Sequence, residues 1–142
     1  MLHDGPLLSS LGYMRIQATD LARWRTFAFD VLGFAEGNGP DPAALYLRMD
    51  EHCARLVAVA GDVDRVLAVG WQVADGEALR NVVAAVEKSG IEVRSHSTGE
   101  ADERRVEELV SFEDPSGVTL EVFHGPRLDH SPVVPPFGAR FV

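Results

Sequence analysis

The chain has one cysteine, Cys53, among 142 residues. One thiol excludes an intrachain disulfide and a cysteine-built zinc knuckle. Cys53 has no neighbouring His or Lys in sequence other than His52, so it is not read as a reactive thiolate. Positive charge is also scarce. Thirteen Lys and Arg stand against twenty-two Asp and Glu, a net charge of −9. A surface that tracks phosphates needs the opposite sign, so nucleic acid is excluded as a partner. The acid excess serves solubility. No run approaches the roughly 18 apolar residues of a membrane helix. The first residues, Met1-Leu2-His3-Asp4-Gly5-Pro6, lack the basic-then-apolar layout of a secretion signal. A soluble, cytoplasmic protein without membrane contact is therefore expected. Hydrophobic residues make up 46%, enough for a globular core.

What the chain does have is a repeat. Ile16-Gln17-Ala18-Thr19-Asp20 opens an amphipathic run that stops at Gly33-Phe34. Trp71-Gln72-Val73-Ala74-Asp75 opens another that stops at Gly90-Ile91. Arg48 to Gly61 overlays Phe112 to Gly125 without a gap, matching Asp50 to Asp114, Leu56 to Leu120 and Gly61 to Gly125. In the first copy a strand over Leu8 to Thr19 leads to a helix capped by Asp20. Its apolar stripe is Leu21, Trp24, Phe27, Ala28, Val31 and Leu32. Strands come next at Phe34 to Glu36, Ala44 to Met49 and Arg55 to Ala60. The second copy starts near Val66. A strand leads to a helix capped by Asp75, with Leu79, Val82, Val83 and Val86 as its stripe. Its later strands are Ile91 to Ser95, Val106 to Phe112 and Val118 to His124. Ser97 to Glu103 reads as a polar connection, and Glu100 to Glu108, with Arg104 and Arg105, as a solvated loop and strand entry. The expected fold is α+β: two tandem βαβββ modules, residues 8–61 and 66–125, in one curled mixed-sheet domain over 1–125. Between them should lie a trough. Residues 126–142 form a proline-rich tail that reads as a linker or docking arm.

The duplicated unit, and the turn Asp114-Pro115-Ser116-Gly117 feeding Val118-Thr119-Leu120-Glu121-Val122-Phe123, resemble the vicinal oxygen chelate superfamily. That group holds glyoxalase I, bleomycin-resistance proteins and type I extradiol catechol dioxygenases. Closer similarity, to the N-terminal half of extradiol enzymes of the 2,3-dihydroxybiphenyl and steroid-catechol type, runs through several segments. They are Leu11-Gly12-Tyr13-Met14-Arg15-Ile16, Ala44 to Asp50, Arg55-Leu56-Val57, Glu121 to Gly125, and Pro135 to Val142. The resemblance implies a fold with metal cups, and in the parent family an Fe(II) site of two His and one Glu in the C-terminal half. The cup positions of this chain are Tyr13 and its repeat mate Ala68, and Val57 and its repeat mate Glu121. Only Glu121 keeps a ligand-type side chain. No catalytic residue, no metal and no cofactor is therefore expected on this chain alone.

The histidines do not repair the cup. His3, His52, His96, His124 and His130 show no ligand spacing, and His124, three residues after Glu121, should face the other way. Glu121 reads either as a relic that touches substrate or metal, or as a carboxylate paired with an arginine such as Arg15 or Arg48. A buried carboxylate needs some partner. Tyr13, Tyr46 and Trp71, with Glu121, are candidates to line a pocket for a small aromatic molecule, whereas Trp24 reads as core. Three functions are compatible with these readings. The chain is the non-catalytic half of a ring-cleaving dioxygenase, packing against a catalytic domain or subunit. Alternatively it is a metal-free dimeric binder of small aromatics, of the bleomycin-resistance kind. Least favoured is a homo-oligomer that assembles a metal site from Glu121 and a partner's histidine.

Overall fold

The computed structural model describes residues 6–134. His3 and the segment Pro135 to Val142 lie outside the described residues. Eight strands form one mixed sheet. In chain order they are β1 (Ser10–Ala18), β2 (Ala35–Glu36), β3 (Leu45–Arg48), β4 (Leu56–Ala60), β5 (Arg65–Gln72), β6 (Arg94–Ser95), β7 (Val106–Glu113) and β8 (Thr119–Pro126). Their order across the sheet is β2-β3-β4-β1-β5-β8-β7-β6. The first and last strands of each module pair in parallel, β1 with β4 and β5 with β8. The remaining pairs are antiparallel, and β1 against β5 joins the modules.

The expected α+β fold of two repeated modules is therefore present, and the repeat holds to the residue. Met14 lies opposite Leu56 and Ile16 opposite Ala58. Their repeat mates do the same: Val69 opposite Leu120 and Trp71 opposite Val122.

Helix α1 (Leu21–Thr26) starts where Asp20 accepts the Arg23 amide at 3.0 Å. Helix α2 (Gly76–Lys88) starts where Asp75 accepts the Ala78 amide at 2.9 Å. The glycines expected to stop these runs, Gly33 and Gly90, both have positive φ. One face of the sheet carries these helices. Ile16, Leu45, Leu47 and Ala58 pack with Ala28 and Phe29, and Val73, Val110 and Val122 pack with Leu79 and Val82. The alternate residues of the same strands form the other, concave face. There Tyr13, Leu109 and Phe123 cluster with Ala101, and Tyr46 with Val57.

Three expectations are corrected. The first helix does not run regularly to Leu32. After Thr26 it widens into a π-helical turn, Phe27–Val31, closed by Leu32 N–H on the Phe27 carbonyl at 3.1 Å. The extra residue in that turn rotates the next side chains out of the α-helical register. Phe29 is consequently buried, whereas Phe27, Val31 and Leu32 are exposed. Second, the Ile91–Ser95 strand shrinks to two residues, Arg94–Ser95. Third, the polar connection is a helix, α3 (Thr98–Glu103). Ser97 caps it and accepts the Glu100 amide, while Glu100 reaches back to the Ser97 amide. Ala101 carries this helix onto the concave face.

The start of the tail is a strap across both modules. Arg127 N–H bonds the Arg105 carbonyl, and the Arg127 carbonyl accepts the Cys53 amide. Arg48 from β3 donates to the Asp129 carbonyl at 2.8 Å and to the Ser131 carbonyl. No helix among the described residues is long and apolar enough to cross a membrane.

Candidate functional site: a filled cup

The four cup positions share the concave face and are all buried: Tyr13 4%, Val57 3%, Ala68 3% and Glu121 2% exposed. Strand register explains how the two halves of the cup differ. Glu121 lies beside Gly70, and Gly70 lies beside Tyr13. By the repeat, Val57 lies beside Arg15, and Arg15 lies beside Ala68. Gly70 has no side chain, so the Tyr13 ring crosses over it. A Cβ at Gly70 would stand 2.5 Å from the ring. The Tyr13 hydroxyl then donates to Glu121 Oε1 at 2.5 Å, with its ring packed on Phe123 at 5.0 Å between centroids.

Glu121 is also gripped from α3. Arg104 donates from Nε to Oε1 at 2.7 Å and from Nη2 to Oε2 at 2.8 Å, a bidentate fork. Its third nitrogen, Nη1, bonds the Glu100 carbonyl at 3.1 Å. Burial alone would push the Glu121 carboxyl up. The Arg104 hydrogen bonds and charge, with the Tyr13 hydroxyl, outweigh burial and hold it below its ordinary range. Burial first, and then the Glu121 charge, push the Tyr13 phenol well up, so it stays neutral and keeps its proton for Glu121.

A second hydrogen-bonded chain, half-buried, fastens α3 to the sheet. His96 Nδ1 meets Glu100 Oε2 at 2.8 Å, and His96 Nε2 meets Ser111 Oγ at 2.7 Å. Ser111 sits directly opposite Glu121 across β7 and β8. The His96 hydrogen bond, followed by the Ser97 amide, lowers the Glu100 carboxyl to about 2.

Both Glu121 oxygens are thus committed, and its mates Val57 and Ala68 offer no donor atom. A first-row metal wants several N or O ligands with open positions between them. This set does not fit one. Among the described residues no three His, Cys, Asp or Glu converge in a way that would hold a metal. The other histidines do not help. His124 turns to Glu108 at 3.1 Å, His130 lies 4.0 Å from Glu51, and His52 lies 3.4 Å from Asp50.

The arrangement corrects the reading of several residues. The cation on Glu121 is Arg104, not Arg15 or Arg48. Arg48 is spent on the strap, and Arg15 Nε is buried with no hydrogen-bond partner among the described residues. Arg104 and Glu100 do not belong to a solvated loop. Trp71 does not join Tyr13, Tyr46 and Glu121: it packs on the helix face with Val73 and Leu79. Tyr46 does share the concave face, but its hydroxyl is taken by the Asp41 amide at 3.1 Å. Beside Tyr13, His52, Arg104 and Phe123 the modules leave a gap of about 10 Å³. That is room for one water, not for an aromatic ring.

Comparisons with known proteins show what the whole chain is similar to. Residues 11–61 match the family model described as dihydroxybiphenyl dioxygenase BphC D1. An iron-dependent extradiol dioxygenase of Rhodococcus jostii (strain RHA1) is 47% identical over 135 residues, which are 95% of this chain and 45% of that protein. A 1,2-dihydroxynaphthalene dioxygenase of Sphingobium xenophagum is 36% identical over 138 residues, 95% of this chain and 46% of its own length. The crystal structure of a catechol 2,3-dioxygenase superposes with a TM-score of 0.86 at 32% identity, over 94% of this chain and 45% of that one. The chain therefore spans less than half the length of the relatives it matches.

Proposed function

We infer that this chain, an extradiol-dioxygenase-like domain of the vicinal oxygen chelate superfamily, serves as the non-catalytic half of an enzyme that opens a catechol ring with O2. The single observation that carries this reading is the Glu121 carboxylate. It is the one ligand-type side chain of the cup, and Arg104 and Tyr13 occupy it fully. Ferrous iron, in the half that holds it, offers adjacent open positions to the catechol and to oxygen. The residues here do other work. Tyr13, Glu121 and Arg104 replace a metal as the centre that ties α3, β1 and β8 together. His96, Glu100 and Ser111 extend the tie to β7. The strap held by Arg48 then clasps the second module to the first. These ties suit the domain to support a catalytic half or to build an oligomer. Sequestration of an aromatic molecule in the trough is not favoured, because the trough is filled.

The test is to load the purified chain anaerobically with ferrous iron, pass it over a desalting column and add 2,3-dihydroxybiphenyl. The expected result is no retained iron and no oxygen uptake. Addition of the second half of the Rhodococcus relative should then give a complex by gel filtration. Stoichiometric oxygen use and a yellow ring-cleavage product from the chain alone would refute the proposal.

A further inference from the structure

The first module's part of the concave face carries a cation that nothing neutralises. Arg15 is part-buried and its Nε is enclosed, yet the side chain makes no hydrogen bond or ion pair among the described residues. Its terminal nitrogens, unlike Nε, keep access to solvent. On the sheet it stands between two apolar positions, Val57 and Ala68. Arginine enters such surroundings, as a rule, together with an anion.

The repeat shows what an arginine and a tyrosine hold on this face. In the second module one row across the sheet runs Ser111, Glu121, Gly70, Tyr13. The equivalent row of the first module runs Tyr46, Val57, Arg15, Ala68. The second row contains an acceptor, the Glu121 carboxylate, held by the Arg104 fork and the Tyr13 hydroxyl. The first row contains the same two kinds of donor and no acceptor. Tyr46 and Arg15 flank Val57, the mate of Glu121, on the two adjacent strands, about 5 Å to either side. The Tyr46 hydroxyl accepts the Asp41 amide at 3.1 Å and gives its own proton to no described atom. Burial pushes that phenol up, so it keeps the proton, and the Arg15 charge is near enough to act against the shift. The carboxylates around the row are spent elsewhere: Glu121 on Arg104, Glu103 in an ion pair with Arg104 at 3.7 Å, and Asp41 on the Ala43 amide at 2.9 Å. Helix α3 brings the second row its cation, and no helix stands at the corresponding place between β2 and β3.

We propose that Arg15, assisted by the Tyr46 hydroxyl, binds one carboxylate group over Val57, supplied from outside this domain. The guanidinium offers two parallel N–H groups to the two oxygens of a planar carboxylate, and the phenol offers a third donor. The carboxylate comes either from a small free acid anion or from an acidic side chain of the second half of the enzyme. Its chemistry is the same in both cases, the chemistry that Glu121 supplies internally to the second row.

The chain has two tyrosines, so ¹³Cζ-tyrosine labelling reports site and control together. Replacing sodium chloride stepwise with sodium acetate at fixed ionic strength should move the Tyr46 signal saturably and leave Tyr13 nearly in place. Acetamide, the neutral isostere, should move neither. Arg15→Met should weaken acetate by about tenfold or more, the scale of a charged hydrogen-bonded pair. Its melting temperature should be kept or raised, because the side chain removed has no internal partner. Arg15→Lys should restore part of the binding, as a point charge without the fork. Adding the second half of the Rhodococcus relative separates the two sources. Loss of the acetate response in the complex, with a weaker complex for Arg15→Met, assigns the carboxylate to a side chain of that half. An acetate response kept in the complex assigns it to a free anion. The titration itself needs only this chain, so it decides the site whether or not the halves associate. The proposal is overturned if acetate gives no saturable Tyr46 shift, if acetamide acts alike, if both tyrosines move together, or if Arg15→Met leaves acetate binding unchanged. It is equally overturned if Arg15→Met lowers the melting temperature as far as Arg104→Met does, since Arg15 would then have a partner inside the domain.

Discussion

Replacing Arg104 with Met removes one partner of a buried pair and leaves the other. Glu121 would keep its place at 2% exposure with the Tyr13 hydroxyl and no cation. Breaking such a pair typically costs about 3–5 kcal/mol, because an uncompensated charge stays in a poorly polarisable interior. For a domain of this size that corresponds to a fall of roughly 10–20 °C in melting temperature. The pH dependence identifies the cause. In the wild type the Glu121 carboxyl is held below its ordinary value near 4.5. Its contribution is therefore complete above that value and is lost as pH falls through the lower, folded-state value. In Arg104→Met burial acts with far less opposition, so the same carboxyl is pushed above its ordinary value. The variant should recover stability as pH falls through that raised value toward the ordinary value near 4.5. Urea unfolding of both proteins at pH 7.5 and 5.5 should show a gap that narrows at the lower pH. Adding Glu121→Leu and Tyr13→Phe to Arg104→Met removes charge and orphaned hydroxyl together. That triple variant should return to within about 1 kcal/mol of the wild type, since an apolar replacement of a whole buried network is often neutral. A single-variant loss below 1 kcal/mol at pH 7.5, or a gap constant across pH, would refute the reasoning.

Other expectations test neighbouring links. Gly70→Ala places a methyl against the Tyr13 ring and should cost about 1–3 kcal/mol by overpacking; the same change at the exposed Gly99, where a Cβ approaches nothing closer than 3.8 Å, should not. Ser97→Ala removes the cap of α3 and should cost about 1 kcal/mol in urea unfolding, with faster amide exchange in α3. The Glu100 carboxyl, at about 2 with its His96 bond, should show no ¹³C titration step between pH 4 and 8. Arg48→Met releases the strap from β3 and should speed proteolytic cleavage between 127 and 134 several-fold at unchanged secondary structure.

The repeat was legible because it rests on periodicity and turn chemistry, both local. Asp20 and Asp75 cap helices, Asp114 closes its turn, and a fixed offset carries Met14 opposite Leu56 onto Val69 opposite Leu120. The π-helical turn was not legible, since its stripe satisfies ordinary helical spacing and only packing of Phe29 selects the wider turn. Helix α3 did carry a signal, the Ser97-x-x-Glu100 capping box, but a run of charges around it reads as solvated. The partner of Glu121 lay beyond local signals altogether. Physics demanded a cation, and the sequence offers twelve arginines. Choosing Arg104 requires knowing that Arg15 sits between Val57 and Ala68, that Arg48 holds the strap, and that α3 folds over the cup.

The same geometry bears on what a metal site here would need. Two of the four cup positions, Val57 and Ala68, are apolar and buried, which needs no compensation. The third, Tyr13, crosses Gly70 and donates to the fourth. The buried charge of Glu121 requires a cation, and Arg104 supplies one in bidentate geometry. Building a metal site here would therefore take more than one histidine. A ligand at Tyr13 removes the phenol that Glu121 accepts from. A ligand at Ala68 stands beside Arg15, and a metal on Glu121 must displace Arg104 and with it the hold on α3. Introducing His at 13 and 68 while keeping Arg104 should yield no tight iron site, because Glu121 and the cation would remain paired. Iron retained by that double variant, measured after a chelator wash, would show that the Arg104–Glu121 pair is far weaker than its burial and fork geometry imply.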